Sequence, residues 1–79
     1  MYIYILKSEK DGSFYVGLTI DVEKRIGQHN NGYNVSTKLK RPWKLVKIEE
    51  YNSNLLAIKR EKFLKTFKGR QVVKNICSC

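Results

Sequence analysis

Tyr2 to Gly32 reads YIYILKSEKDGSFYVGLTIDVEKRIGQHNNG, and its hydrophobic period changes along the way. From Tyr2 to Lys7 the side chains alternate, with Tyr2, Tyr4 and Leu6 on one face and Ile3 and Ile5 on the other. That is the period of a strand, in residues that favour strands. Ser13 to Leu18 forms a second such run, and Asp11-Gly12 between them is a strong turn signal. The spacing predicts an antiparallel hairpin. With a loop of two or four residues, even-numbered positions pair with odd ones. Tyr2 and Tyr4 then share a face with Tyr15 and Gly17, while Ile3, Ile5, Phe14 and Val16 fill the other.

After the hairpin the period becomes helical. Asp21 is placed to cap a helix running to about Asn30, and Asn31-Gly32 suits its end. Val22, Arg25, Ile26 and His29 fall at i, i+3, i+4 and i+7, which is one stripe. A packed helix fills such a stripe with aliphatic residues, so Arg25 and His29 are expected to face a polar cleft. A snorkelling arginine and a hydrogen-bonded histidine would give the same pattern.

Beyond Gly32, Tyr33 to Pro42 reads as a loop whose Lys38, Lys40 and Arg41 suit contacts to phosphate. Trp43 to Tyr51 reads as a third strand, with Trp43 a core residue; its alternation is blurred by Lys44 and Lys47, as on a sheet edge. Ser53 or Asn54 can cap a second helix and Gly69 can end it. There Ala57, Arg60, Glu61 and Leu64 repeat the spacing of the first stripe, and Leu56, Phe63 and Phe67 are expected to widen its apolar side. Glu61 turned toward the sheet needs a cation. Either Arg25 or Arg60 pairs with it, or it holds a Mg²⁺ together with water and phosphate oxygens. Residues 70–76 read as a short tail with room for a last helical turn or two, packing Val72, Val73 and Ile76.

The 79 residues suit one small domain, and 16 Lys+Arg against 7 Asp+Glu give a net charge of +9. So basic a chain favours a polyanionic partner, nucleic acid first. Lysines interrupt every apolar run, so no membrane span is expected, and no basic amphipathic helix suggests a membrane surface. The start lacks the pattern of a signal peptide, so a cytoplasmic protein is expected. Cys77 and Cys79, with one histidine, are too few for a closed zinc site and are expected to be free thiols. No signal for an oligomeric state is visible.

Taken in order, these residues resemble the motif blocks of the GIY-YIG nuclease domain, above all its small stand-alone members. The blocks are Tyr2-Ile3-Tyr4, Tyr15-Val16-Gly17, Arg25 with His29, Gly32, Arg41-Pro42-Trp43, Leu45-Val46, and Ala57 through Lys62. The resemblance implies an α/β (α+β) fold, a three-stranded antiparallel sheet flanked by helices, over residues 1–79. It also implies hydrolysis of DNA phosphodiesters with one divalent ion, Mg²⁺ or Mn²⁺. By the same resemblance Glu61 holds the metal, Arg25 steadies the scissile phosphate, and Tyr4 and Tyr15 line the approach of the water. His29 matches the histidine of this subgroup, and Lys38, Lys40, Arg41 and Arg60 are the expected contacts to DNA.

Leu18 follows Gly17 where the excision-repair members carry a lysine. That leaves the general base open between Tyr15, whose phenol needs a nearby cation, and His29, whose imidazole suits neutral pH. The expected activity is a DNA endonuclease of low sequence specificity, acting on structured or damaged sites, with a protein partner to direct it. The alternative is a nucleic-acid-binding module with the nuclease fold and weak catalysis. A basic interaction protein is a more distant third reading.

Overall fold

The hairpin forms as its alternation predicts. A computed structural model describes residues 1–77 and runs β1 (Tyr2–Ser8), β2 (Phe14–Thr19), α1 (Val22–Asn30), α2 (Val35–Lys38), β3 (Trp43–Glu50), α3 (Asn54–Leu64) and α4 (Phe67–Cys77). The three strands make one antiparallel sheet in the order β2-β1-β3. Tyr4 pairs with Gly17 and Leu6 with Tyr15, so the tyrosines do share a face. At the turn, Asp11 Oδ1 accepts hydrogen bonds from the Ser13 amide at 2.9 Å and the Ser13 hydroxyl at 2.7 Å.

β3 is an edge strand, and the blur in its alternation has a local cause. Ile5 pairs with Lys47 but Leu6 with Leu45, so Val46 is left over as a bulge. A bulge reverses which parity points to which face. Trp43 and Leu45 therefore lie on the tyrosine face together with Ile48, and Lys47 and Glu49 lie on the opposite one.

Each face has its own core. Tyr4, Leu6 and Trp43 are buried on one side, packed by Tyr15, Val22, Ile26 and Leu45 under α1. Ile3, Ile5, Val16, Leu64 and Val73 form the other core, under α3 and α4. Full burial of one such aliphatic side chain contributes roughly 1.5–3 kcal/mol. The helix starts follow the capping residues in the sequence: Asp21 Oδ1 accepts from the Lys24 amide at 3.1 Å, and Ser53 Oγ accepts from the Leu56 amide at 3.4 Å.

Four expectations change. The stretch from Tyr33 to Pro42 is not wholly loop, because α2 forms one turn within it. Gly69 does not end α3, which stops at Leu64 with Lys65 as its cap. Gly69 lies inside α4, where α4 passes so close to α3 that an added Cβ would overlap the Phe63 carbonyl and the Leu64 backbone. The expected last turn or two is accordingly part of a longer helix of 11 residues, capped by the Thr66 hydroxyl, which accepts from the Gly69 amide at 3.1 Å.

The fourth change concerns the flanks of α3. Leu56, Phe63 and Phe67 do not widen the apolar side; they are 55%, 40% and 80% exposed. Val72 and Val73 of α4 take the space beside Leu64 that those side chains would have filled. Cys79 lies outside the described residues. No helix among the described residues is long and apolar enough to cross a membrane.

Candidate active site

α1 crosses the tyrosine face and is tied down at its C-terminal end. Asn30 Oδ1 accepts from the Trp43 amide at 2.7 Å, and its Nδ2 donates to the Trp43 carbonyl at 3.1 Å. This two-way link fixes the last turn of α1 against the start of β3, and so fixes His29 one residue earlier. Val22 and Ile26 of the same stripe pack on the core. The stripe divides as its chemistry suggests: His29 is 1% exposed, whereas Arg25 reaches the surface.

His29 is held at both ring nitrogens. Its Nε2 lies 2.9 Å from the Tyr4 hydroxyl, and its Nδ1 lies 2.8 Å from Thr37 Oγ1. The Thr37 hydroxyl also reaches the Asn34 carbonyl, at 3.3 Å; with its proton placed there, its oxygen accepts from His29. Nδ1 therefore carries the proton, Nε2 accepts, and Tyr4 O–H is the donor. The proton order runs Tyr4 to His29 to Thr37 to the Asn34 carbonyl.

Burial and charge agree with that order. Burial pushes His29 below the ordinary imidazole value, and the nearby Arg25 charge adds to the effect. Burial likewise pushes the Tyr4 phenol up, to about 12, against the opposing pull of Arg25. Tyr4 in turn holds the Arg25 guanidinium above its ordinary value. At neutral pH the histidine is neutral, Tyr4 is protonated and Arg25 is charged.

Tyr15 completes the group. Its ring stands edge-on to His29 at 4.7 Å between centroids, 6.1 Å from Tyr4 and 6.2 Å from Trp43. Tyr4 is wholly buried, but Tyr15 is partly open to solvent. The Tyr4 hydroxyl also explains Gly17. A Cβ there would overlap the end of the Tyr4 ring, so only glycine lets the phenol lie flat along β2 toward His29. Arg25, Gln28, His29, Tyr33 and Asn34 line a cleft of about 390 Å³ above this network.

Glu61 is placed apart from that cluster. Among the described residues its carboxylate pairs with Lys65 at 3.6 Å, one turn along α3, and not with Arg25 or Arg60. Lys65 Nζ in turn sits 6.0 Å from the centre of the Tyr15 ring, so the carboxylate reaches the tyrosines through a lysine. Arg60 grips Glu49 instead, through Nε at 3.1 Å and Nη2 at 3.3 Å. Burial alone would raise Glu49, but the hydrogen bonds from Arg60 and Tyr51 outweigh it and lower the carboxyl. Of the basic loop, Lys38 and Arg41 stay exposed, with Arg41 Nε donating to the Lys38 carbonyl at 2.8 Å. Lys40 stands 3.9 Å from Asp11.

No group of three His, Cys, Asp or Glu side chains that could hold a metal occurs among the described residues. One partly exposed carboxylate is a donor set that suits a hard cation completed by water and phosphate oxygens, and no set for a softer metal. Glu61 fits that role, with Lys65 as the cation it must exchange.

Four residues of the site were not singled out from the sequence. Lys65 was legible in principle, since it stands four residues after Glu61. Thr37, Asn30 and Glu49 act through tertiary contacts with no sequence spacing to announce them.

A family model described as the GIY-YIG catalytic domain matches residues 1–74. The chain belongs to the GIY-YIG family. A UPF0213 protein of Staphylococcus saprophyticus is 47% identical over 76 residues, covering 95% of this chain and 92% of that protein. UPF0213 proteins of Staphylococcus haemolyticus and Staphylococcus epidermidis are 45% and 42% identical over the same shares. No solved structure matches the chain. This is a nuclease family, and its substrate is nucleic acid.

Proposed function

We propose that the protein is a metal-dependent endonuclease that hydrolyses DNA phosphodiester bonds at structured or damaged sites with low sequence specificity. The observation that carries this reading is the Tyr4–His29–Thr37 chain, buried beside a charged Arg25 and a half-open Tyr15. A sheet face built for packing alone would bury aliphatic groups there, because buried polar groups are costly unless every one is paired.

The residues divide the work by exposure. Arg25, charged and at the surface of the cleft, holds the scissile phosphate and offsets the charge that develops on it. Tyr15 meets the attacking water, since its phenol is the one with access. Tyr4 and His29 are occupied with each other, so His29 acts by positioning Tyr4 and the edge of the Tyr15 ring. Glu61 would hold the Mg²⁺ or Mn²⁺, which when bound supplies charge neutralisation and help to the leaving oxygen.

The Glu61–Lys65 pair favours a second reading, a nucleic-acid-binding module with weak catalysis. One assay separates the two. Single-stranded, duplex and branched DNA are incubated with the protein and Mg²⁺, Mn²⁺ or EDTA, alongside Glu61→Gln. The nuclease reading expects cleavage that EDTA abolishes and that Glu61→Gln lowers on the order of 100-fold or more, with DNA binding kept. Cleavage untouched by EDTA would remove the metal from the reading. Binding without cleavage of any substrate would establish the second reading.

A further inference from the structure

A groove of about 520 Å³, lined by Tyr15, opens between β2 and the helices α3 and α4. Four cations stand around it: Lys40 from the loop after α2, Lys65 at the end of α3, and Arg70 and Lys74 on α4. Val16, Leu64 and Val73 are its apolar lining, and among the described residues no acidic side chain lines it. Two carboxylates stand at its rim: Glu61, 3.6 Å from Lys65, and Asp11, 3.9 Å from Lys40, where both side chains are about half exposed.

The charges on α4 are placed where the fold alone would not put them. Residues 62–79 contain five Lys or Arg and no Asp or Glu. Arg70 and Lys74 are one helical turn apart, both exposed, and neither has an ion pair among the described residues. Like charges at that spacing weaken a helix by roughly 0.2–0.5 kcal/mol. Cations near a helix N-terminus, as Lys68 and Arg70 are, also oppose the helix dipole. An anion laid along the groove would turn each of these unfavourable terms into a favourable one.

Tyr15 lines the groove and touches His29, which lines the cleft. Its ring lies 4.7 Å from the His29 ring and 6.0 Å from Nζ of Lys65, which lines the groove. β2 is an outer strand of the sheet, so among the described residues no further strand pairs with its free edge.

We propose that a DNA strand crosses the sheet at the β2 edge, passing Tyr15, with the phosphates on one side of the cut held by Arg70 and Lys74 of α4. This rests on the nucleic-acid reading above and adds its track. The basic loop at Lys38 and Arg41 is then a second, separate contact rather than the principal one.

The test is fluorescence anisotropy of a labelled DNA duplex titrated with the protein over a salt series. The variants are Arg70→Gln with Lys74→Gln, and Lys44→Gln with Lys59→Gln as a control that removes equal charge from β3 and from the outer side of α3. Without the two α4 cations, the log–log salt slope should flatten by about 1.8, at roughly 0.9 per phosphate neutralised. The control should leave the slope near that of the unaltered protein, and Arg70→Lys should keep it. Since Arg70 and Lys74 are exposed and without an ion pair among the described residues, thermal melts should stay unchanged or rise slightly as their repulsion is removed. An α4 variant with the unaltered or the control slope overturns the track while leaving DNA binding intact. Absence of salt-dependent binding by the unaltered protein overturns the nucleic-acid reading, and the track with it.

Discussion

On the sheet face that meets α1 the polar atoms lie inside; on the face that meets α3 and α4 they lie at the rim. The first face buries Tyr4, His29 and Thr37 at 0%, 1% and 1% exposure, and among the described residues no buried side-chain N or O lacks a partner. The second buries Ile3, Ile5, Leu64 and Val73, and its charges, Arg60 with Glu49 and Glu61 with Lys65, stay at the solvent boundary. Both helices nevertheless carry two apolar and two polar residues at the same spacing. What differs is where the polar members fall. In α1 the last position of the stripe is polar and lies deep, while in α3 the end positions Ala57 and Leu64 are apolar and only the middle is charged. A buried polar chain is rigid because each group would be costly alone. Rim charges are solvated, weakly held and free to exchange partners.

The comparison is broken most severely through the two glycines that let each face close. Gly69→Ala would drive a methyl group into the backbone of Phe63 and Leu64, which cannot turn away. The expected loss is about 3 kcal/mol, at or above the upper end for overpacking. Gly17→Ala would meet the Tyr4 ring instead. Its expected loss is about 2–3 kcal/mol, because the ring moves and its bond to His29 goes with it. Urea unfolding measures both. The faces differ in function too: the first variant should retain the activity of its folded fraction, and the second should not. Equal activity per folded molecule would show that Tyr4 need not meet His29.

The buried chain itself gives the next effect. Thr37→Val leaves the His29 Nδ1 proton without an acceptor and should cost about 1–3 kcal/mol, whereas Thr37→Ser should restore most of it. His29 is the chain's single histidine, so its titration can be followed alone. Its folded value lies below the ordinary 6.5. Above pH 6.5 both folded and unfolded states carry a neutral ring, and the stability is complete. Below it the unfolded chain binds the proton first, so stability falls with pH by up to about 1.4 kcal/mol per unit until the folded ring also titrates. Unfolding midpoints between pH 7 and 5 should show that decline, and His29→Gln should flatten it. A flat profile in the unaltered protein would mean that the ring is not held neutral.

How much of this was legible depends on how local each cause is. The hairpin, its shared tyrosine face, both N-caps and the edge position of β3 follow from period and turn chemistry, which act over a few residues. The family blocks add the sheet and helix layout. The break between α3 and α4 was not legible, because Gly69 reads as a helix stop until the crossing of α4 over Phe63 is seen. Nor was the role of Thr37, which lies in a stretch that reads as loop and becomes a ligand of His29 only after α2 forms a turn beneath it. Arg60 and Glu61 were placed on the correct stripe with the wrong partners. Glu49 joins Arg60 because the bulge at Val46 turns it to the α3 face. A one-residue shift of that kind leaves only a blurred alternation in the sequence.

The smallest effects belong to the rim and test whether its charges are as loosely held as their exposure suggests. Arg60 grips Glu49 with two hydrogen bonds, and the side chains are 30% and 15% exposed. Arg60→Gln should therefore cost about 1 kcal/mol, near the top of the range for surface pairs. Lys65 is 51% exposed and meets Glu61 at 3.6 Å with a single contact. The order is the favourable one, glutamate one turn before lysine, yet water screens the pair on its open side. Lys65→Gln should change stability by about 0.5 kcal/mol or less, a shift that needs replicate melts to resolve. Titration with Mn²⁺, read by the paramagnetic signal of the free ion, should meanwhile show tighter binding, because the cation competing for Glu61 has gone. A loss of 2 kcal/mol or more would mean that the Glu61–Lys65 pair is a structural tie like those on the α1 face. The carboxylate would then not be free to take a metal.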